Sequence, residues 1–387
     1  MHRRSRILAG GLIFLLLLGA VTGMTFFFLR YQAVQGALKE LRPLIDVHRL
    51  VREHYVREVG EEDLLEGALR GMVDSLGDPY SEYLSRQRHR ELEIQTQGLY
   101  GGIGVVLTII DEGLVILDPP LRGSPAAAAG LQEGDLIRSI DDVLVREITF
   151  ERAAELIRGP VGTELILGLE REGEEFTVTL VRDEIHLDTV RSQILAETEG
   201  IGYLRVSMFN EYTGQEVAEN MADLMASGLE SLIIDLRGNP GGILGAAVEV
   251  AEFFLPAGKP VLHVQARDGV RQTIYSGGAG HFEMPLLVLV DGGSASGAEI
   301  VAGALKDNGR ARLVGTKTFG KGSVQSIYTL KNGGGLKLTT ALYITAGGHS
   351  IDKEGITPDI LVEYDEEGRT DVQLEAAVDL LRQGGGN

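Results

Sequence analysis

Polar and apolar positions divide the chain into four stretches. From Ile7 to Leu29 no charge interrupts the apolar run. At 1.5 Å per residue a helix of that length spans about 34 Å, against roughly 30 Å for a bilayer core. Beyond it, Leu38, Leu41, Leu44, Ile45, Val47 and Val51 recur at helical spacing. A second helical run, Leu64 to Leu76, meets a stop at Gly77-Asp78-Pro79. From about residue 95 the texture changes to short apolar strands with glycine punctuation. Gly104–Ile110 and Leu114–Leu117 flank Asp111-Glu112-Gly113, a hairpin signal, and Leu136–Ile140 reads as a strand. Ser124 to Ala129 reads as a small-residue helix stopped by Gly130, and Phe150–Ile157 as a second helix. Leu165–Leu169 and Phe176–Val181 close this region as a hairpin.

From residue 185 strands alternate with helices. The pattern predicts strands at Ile201–Val206, Leu232–Leu236 and Leu286–Val290, and helices at Gln215–Ala226, Ile243–Phe254 and through Leu305. Such alternation predicts an α/β core with a largely parallel sheet, whose ligands sit where strand ends meet helix starts. Two turns qualify: Arg237-Gly238-Asn239-Pro240-Gly241-Gly242 and Asp291-Gly292-Gly293-Ser294-Ala295-Ser296. A short amphipathic helix follows from about residue 367, ahead of Gly384-Gly385-Gly386.

Composition narrows the function. The 387 residues contain no cysteine, which excludes disulfides, cysteine nucleophiles and thiolate metal sites. A net charge of −20 argues against nucleic-acid binding. Arg3, Arg4 and Arg6 precede the apolar run and Arg30 follows it, which orients the N-terminus to the cytoplasm. A cleaved signal peptide has a shorter apolar stretch. Gly19-Ala20-Val21 fits its cleavage site only weakly, and Met24 to Leu29 continues mostly apolar. The expectation is an uncleaved single-pass anchor in the inner (plasma) membrane, with residues 31–387 on the extracytoplasmic (periplasmic or extracellular) side.

Several chemistries are absent. No His-Glu-x-x-His and no Walker phosphate loop occur. Gly102–Gly104 opens a strand rather than a helix, so a dinucleotide reading fails. Ser350-Ile351-Asp352-Lys353 matches a bare Ser-x-x-Lys without its usual companions. Neither Ser294 nor Ser296 has the glycine on each side that a nucleophile elbow requires. Ser296 nevertheless sits at a helix start among Gly292, Gly293, Ala295, Gly297 and Ala298. There a substrate backbone can approach closely and free N–H groups can hold an oxyanion; tight helix–sheet packing with a capping serine explains the same residues.

A serine nucleophile needs a base. Among eight histidines only His281 and His349 fall in core loops. Arginine outnumbers lysine 28 to 8, and no lysine lies between Lys39 and Lys259. Lys321, flanked by Gly320 and Gly322 and next but one to Phe319, is a candidate for burial and a lowered pKa. Lys317 is its nearest rival, and a solvated loop lysine is the plainer reading. Tyr100-Gly101-Gly102-Ile103-Gly104-Val105 offers backbone N–H groups that could hold a peptide carboxylate beside an edge strand; a plain strand start fits as well.

Four motifs in residues 123–163 together resemble a PDZ domain. They are Gly123-Ser124-Pro125-Ala126, Ala129-Gly130-Leu131, Glu133-Gly134-Asp135-Leu136-Ile137 and Ile157-Arg158-Gly159-Pro160-Val161-Gly162-Thr163. Around them, Asp78-Pro79-Tyr80-Ser81-Glu82-Tyr83-Leu84, Asp235-Leu236-Arg237-Gly238-Asn239-Pro240-Gly241-Gly242 and Gly293-Ser294-Ala295-Ser296-Gly297-Ala298-Glu299-Ile300 resemble the carboxy-terminal processing (tail-specific) serine peptidases. So do Phe319-Gly320-Lys321-Gly322-Ser323-Val324-Gln325 and Gly355-Ile356-Thr357-Pro358-Asp359-Ile360.

The resemblance implies Ser296 as nucleophile, Lys321 as general base and Gln325 as the residue that orients the lysine. Lys321 and Gln325 would share a face if both lay on one strand. It implies Gly242 and Gly297 as oxyanion donors, and Gly102, Ile103, Gly104, Val105 and Arg158 as substrate-binding positions, with Arg158 linking groove and active site. No cofactor or metal is implied. Gly297 and Ala298 replace the family's commoner alanine and serine, which suggests a softer loop, and Asp141-Asp142 replaces a commoner Asp/Asn-Gly turn.

The expected architecture is a crotonase-like α/β peptidase core with an inserted PDZ-like strand-rich domain, a helical N-terminal region and one transmembrane helix. Its divisions are 1–30 anchor, 31–92 helical region, 93–184 PDZ-like domain, 185–366 peptidase core and 367–387 C-terminal helix and tail. The partners implied are the membrane and protein or peptide substrates with apolar C-termini. A homodimer or higher oligomer and a regulatory adaptor are left open. The alternatives are a catalytically silent PDZ tether of the same fold and an acyl-CoA enzyme. A trypsin-like protease is disfavoured, because its Gly-x-Ser-Gly-Gly motif is missing.

Overall fold

The structure, a computed structural model, describes residues 24, 28, 39–110, 113–278, 280, 282–365 and 370–384. It divides into two units, Met1–Gly77 and Asp78–Asn387. Apart from Met24 and Phe28, the expected anchor lies outside the described residues, as do Asp111-Glu112, His281 and Gly385-Gly386. Among the described residues no helix is long and apolar enough to cross a membrane.

In the first unit, residues 39–54 form helix α1 and Glu61–Asp74 form α2. Glu61, Glu62 and Asp63 open α2, where carboxylates complement the helix dipole.

The second unit starts with strand β1 (Glu82–Leu84) and helix α3 (Arg86–Gln97). The helical reading of 31–92 therefore fails at 82–84. Tyr83 and Leu84 are buried there, and β1 pairs antiparallel with a distant strand at Gly335–Lys337. Gly98, at φ 73°, ends α3 in the left-handed conformation.

Next comes a strand-rich domain with its own apolar core. Its elements are β2 (Leu99–Gly102), β3 (Leu107–Ile110), β4 (Gly113–Ile116), α4 (Pro125–Ala128), β5 (Leu136–Ile140) and β6 (Val143–Leu144). Helix α5 (Phe150–Ile157), β7 (Glu164–Arg171), β8 (Glu174–Val181) and β9 (Asp183–His186) follow. Strands β3, β4, β5, β7 and β8 form an antiparallel sheet in that order, and β2 and β9 form the two-stranded ribbon by which the chain enters and leaves. Leu165, Leu167 and Leu169 alternate inward from β7 onto Ile137, Ile140 and α5 residues Ala153 and Ile157. The Asp141-Asp142 turn holds without a glycine. Asp141 takes φ 50°, and its Oδ1 accepts from Ile166 N at 2.9 Å.

The remaining elements are β10 (Val190–Ile194), β11 (Ile201–Val206), α6 (Thr213–Ala226), β12 (Ser231–Asp235), α7 (Leu244–Glu252), β13 (Pro260–Ala266) and β14 (Arg271–Tyr275). After these come β15 (Leu286–Val290), α8 (Gly297–Asp307), β16 (Arg312–Gly315), β17 (Ser323–Thr329), β18 (Gly335–Thr345), β19 (Ile360–Leu361) and α9 (Val372–Arg382). Strands β10-β11-β12-β15-β16-β19 form one sheet, parallel except for β10. Leu232, Ile234, Leu286 and Val288 face the helices α6, α7 and α8. Ile233, Leu287 and Leu289 face Ala377 and Leu381 of α9. Burial on both faces is why β12 and β15 read as unbroken apolar runs.

The parallel α/β reading covers only this sheet. A second, antiparallel sheet, β1-β18-β13-β14 with β17 on β18, carries the chain beyond Lys321.

Candidate active site

The two glycine-rich turns leave the C-terminal ends of neighbouring parallel strands, β12 and β15. They are laced together. Ala295 N donates to Asn239 O at 2.9 Å, while Asn239 Nδ2 donates to Val206 O and Gly241 N donates back to Asn239 Oδ1, both at 2.8 Å. A Cβ on Gly241 would stand 2.7 Å from Ser296 Cβ and 2.9 Å from Gly297 N, so only glycine lets the turns approach this closely.

Ser296 caps α8 with φ 52° and ψ −110°, a conformation that costs a non-glycine residue energy. It has the strained strand-to-helix geometry of a nucleophile elbow without the elbow's flanking glycines. Ser294 is different. It is fully buried, and its Oγ donates to Leu236 O at 2.8 Å and accepts from Asp291 N at 2.9 Å, which ties one turn to the other.

The Gly297 N–H opens α8, where a helix has no internal acceptor, and neither it nor the Gly242 N–H donates a hydrogen bond among the described residues. Gly242 bridges Phe209, whose backbone brackets it through Phe209 N to Gly241 O (2.9 Å) and Ile243 N to Phe209 O (2.8 Å).

Lys321 precedes β17 rather than lying in it, and the β17–β18 register shifts between Val324 and Gln325. Lys321 and Gln325 thus do not share a strand face, contrary to the expectation. Gln325 Nε2 donates to Ser323 Oγ at 2.8 Å and Thr339 Oγ1 at 3.3 Å, and Lys321 Nζ donates no hydrogen bond to Gln325 Oε1. The Lys321 ammonium stands over the Tyr80 ring, 5.4 Å from its centroid, and no hydrogen bond joins it to Ser296. Burial pushes its pKa below the ordinary lysine value. Lys337 lowers it further, and Glu82 and Glu299 oppose both. Lys317 is exposed. His349 closes the turn after β18 by accepting from Thr345 N at 2.9 Å.

Two residues not singled out in the sequence complete the centre. The fully buried Glu299 carboxylate takes four hydrogen bonds. Its Oε1 accepts from Thr318 Oγ1 (2.6 Å) and Gly320 N (2.8 Å), and its Oε2 from Ser296 N and Lys321 N (both 2.9 Å). The Ser-x-x-Glu spacing of Ser296 and Glu299 is the sequence signal that would have shown half of this arrangement. Tyr343 on β18 interacts with Ser296; burial pushes its phenol up to about 12, and the Ser296 contact works against that rise.

In the strand-rich domain a cavity of about 110 Å³ is lined by Tyr100, Ile103, Gly104, Val105, Leu107, Phe150, Ala154, Ile157 and Arg158. Gly104 has φ 77°, and a Cβ there would collide with Ser124. Arg158 ends α5 and lies 5.2 Å from the centroid of the Tyr100 ring. Gly102 is not part of the lining; it pairs with Asp183 in the β2–β9 ribbon. No cluster of metal-binding side chains occurs among the described residues.

Comparisons with known proteins match three stretches of the chain. The profile described as peptidase family S41 matches residues 200–362, that of a PDZ domain matches 119–171, and that of the activating protease CtpB N-terminal domain matches 29–88. The chain is similar to the carboxy-terminal-processing protease of Bartonella bacilliformis, 38% identical over 85% of this chain and 76% of that protein. It is also similar to the carboxy-terminal processing protease CtpB of Bacillus subtilis, 34% identical over 84% of this chain and 68% of that protein. Among solved structures, a putative S41 protease from Bacteroides fragilis shares the fold. Its TM-score is 0.51 at 20% identity, over 87% of this chain and 97% of that one.

Proposed function

Because the chain belongs to peptidase family S41, as a serine peptidase of the carboxy-terminal processing kind, we propose that it cleaves by a Ser296–Lys321 dyad. The observation that carries the reading is the Glu299 carboxylate, which hydrogen-bonds the backbone of both residues. Neutral Lys321 accepts the Ser296 hydroxyl proton as Oγ bonds to the scissile carbonyl carbon. The Gly297 and Gly242 N–H groups hold the resulting oxyanion. The intermediate collapses, the C–N bond breaks, and the lysine ammonium returns its proton to the leaving amine. Water, deprotonated by the same lysine, then releases the acyl group from Ser296.

We also propose that the Ile103–Val105 backbone and α5 capture an apolar substrate C-terminus. The apolar lining of Ile103, Leu107, Phe150 and Ile157 favours this, with Arg158 at the rim. The apolar run Ile7–Leu29 and its arginines support a membrane anchor with the catalytic part outside the cytoplasm.

Three proteins test the reading on an unstructured substrate with an apolar tail: the wild type, Ser296→Ala and Lys321→Arg. Cleavage by the wild type alone is expected, since arginine keeps the charge and loses the basicity. Substantial cleavage by Lys321→Arg would remove Lys321 as the base.

A further inference from the structure

We propose that Tyr364 and Asp371, on the segment beyond the last core strand, are positioning residues for the acyl-transfer step, locking the two glycine-rich turns in register. The proposal rests on those turns forming the reaction centre, as argued above.

Asp291 joins the turns directly. Its Oδ1 accepts from Gly238 N at 2.9 Å and Gly293 N at 2.8 Å, one donor from each turn. Its Oδ2 accepts from Tyr364 Oη at 2.6 Å. Tyr364 therefore holds, from outside the turns, the carboxylate that spans them. Burial works to raise the Asp291 pKa, but Tyr364 and the other donors outweigh it, so the group stays ionised and accepting.

Asp371 works on the oxyanion turn through Arg237. The guanidinium donates to Asp371 Oδ1 at 2.7 Å and Oδ2 at 2.8 Å, and also to Asp235 Oδ1 at 3.0 Å and Oδ2 at 2.7 Å. The Arg237 side chain is 12% exposed and that of Asp235 0%, so the planar fork is gripped between two carboxylates with little freedom. Asp371 Oδ1 also accepts from Leu374 N at 3.1 Å, capping α9. That helix is buried through Ala377 and Leu381 against the sheet face opposite α6–α8. The grip on Arg237 is thus anchored in the core behind the sheet.

Neither residue hydrogen-bonds Ser296 or Lys321. Their effect should fall on the placement of the Gly242 and Gly297 N–H groups, which stabilise the transition state more than the bound substrate. That predicts a loss in kcat with KM preserved.

The test uses the full chain in detergent and an unstructured protein substrate with an apolar tail. Tyr364→Phe, Asp371→Asn, Asp371→Glu and Ser296→Ala are assayed beside the wild type. Tyr364→Phe and Asp371→Asn should lower kcat about tenfold or more with KM changed less than about twofold. Labelling of Ser296 by a fluorophosphonate, which needs the oxyanion donors but no peptide groove, should slow in parallel. Asp371→Glu, which keeps a carboxylate for Arg237, should recover part of the loss. Unchanged kcat and labelling in folded variants would overturn the proposal, as would a rise in KM at constant kcat. Should Asp371→Asn fail to fold, the outcome for Tyr364→Phe, whose ring is half exposed, decides alone. Cleavage by Ser296→Ala would instead overturn the underlying reading of the reaction centre.

Discussion

The Oε2 atom of Glu299 lies 2.9 Å from the backbone nitrogen of Lys321, and the same atom lies 2.9 Å from the backbone nitrogen of Ser296. One carboxylate oxygen therefore sets the spacing between the strand-to-helix turn that carries the serine and the loop that carries the lysine. Glu299→Gln keeps the shape but turns one acceptor into a donor that faces N–H groups. Hydrogen bonds to a charged group contribute about 1.5–3 kcal/mol, so kcat should fall by one to two orders of magnitude or the fold should lose comparable stability. Steady-state kinetics beside urea unfolding separates the two. Wild-type values in both would show that the carboxylate has no such role.

On the proposed dyad, the lowered pKa of Lys321 sets the pH dependence. A base must be neutral to act, so kcat/KM should rise with pH through a lysine limb below its ordinary value of 10.5. The sign for stability is the same. Between the lowered folded value and the unfolded one, the unfolded chain holds more protons at this site, so unfolding free energy should increase with pH across that window. Lys321→Met should abolish cleavage and flatten the stability dependence. A wild-type kcat/KM profile with no limb below 10.5 would remove the lysine from the rate-determining step.

Gly297 packs against Phe209. A Cβ on Gly297 would stand 2.8 Å from Phe209 Cδ2, and Phe209 is fully buried. Gly297→Ala retains the N–H but overpacks the site, which typically costs about 1–3 kcal/mol. Thermal unfolding should report the loss, and Phe209→Leu in the same chain should recover part of it. A Gly297→Ala chain as stable as the wild type would mean that the ring yields freely.

The groove makes its own prediction. Amidation of a substrate's C-terminus removes the carboxylate that the Ile103–Val105 backbone would hold, and replacing a terminal Val by Asp places a charge against Phe150 and Ile157. Both changes should raise KM and leave Ser296 labelling by a small fluorophosphonate untouched. Equal rates for free and amidated tails would detach this groove from substrate capture.

The regular elements were legible because their burial is one-sided or complete. Leu136–Ile140, Phe150–Ile157, Ile201–Val206 and Leu286–Val290 have the bounds that their apolar pattern predicts. The antiparallel sheet was not legible. Strands β17 and β18 are largely half-buried, so polar and apolar residues mix along them without a clean period. The Gln325 expectation assumed an unbroken strand from Lys321, and the strand begins two residues later with a register shift inside it. Gly102 adjoins the groove glycines in sequence, but φ decides which one turns the chain. Gly104 has the positive angle, and Gly102 remains in a strand. Glu299 is hard to single out in the sequence, because a glutamate in an apolar helix reads as solvated and its partners Thr318, Gly320 and Lys321 lie a full strand away.

The position of the Lys321 ammonium over Tyr80 has a kinetic meaning. On the proposed dyad, with the backbone of the lysine loop tied through Glu299 to the nucleophile turn, side-chain torsions alone would carry the amine from aromatic ring to serine hydroxyl. Rotamer hops are fast, nanoseconds where the side chain is free and slower where it is packed. They are far quicker than the rearrangement of a peptide loop. In that proposed dyad, the amine therefore reaches the serine hydroxyl faster than a loop could rearrange to bring it there.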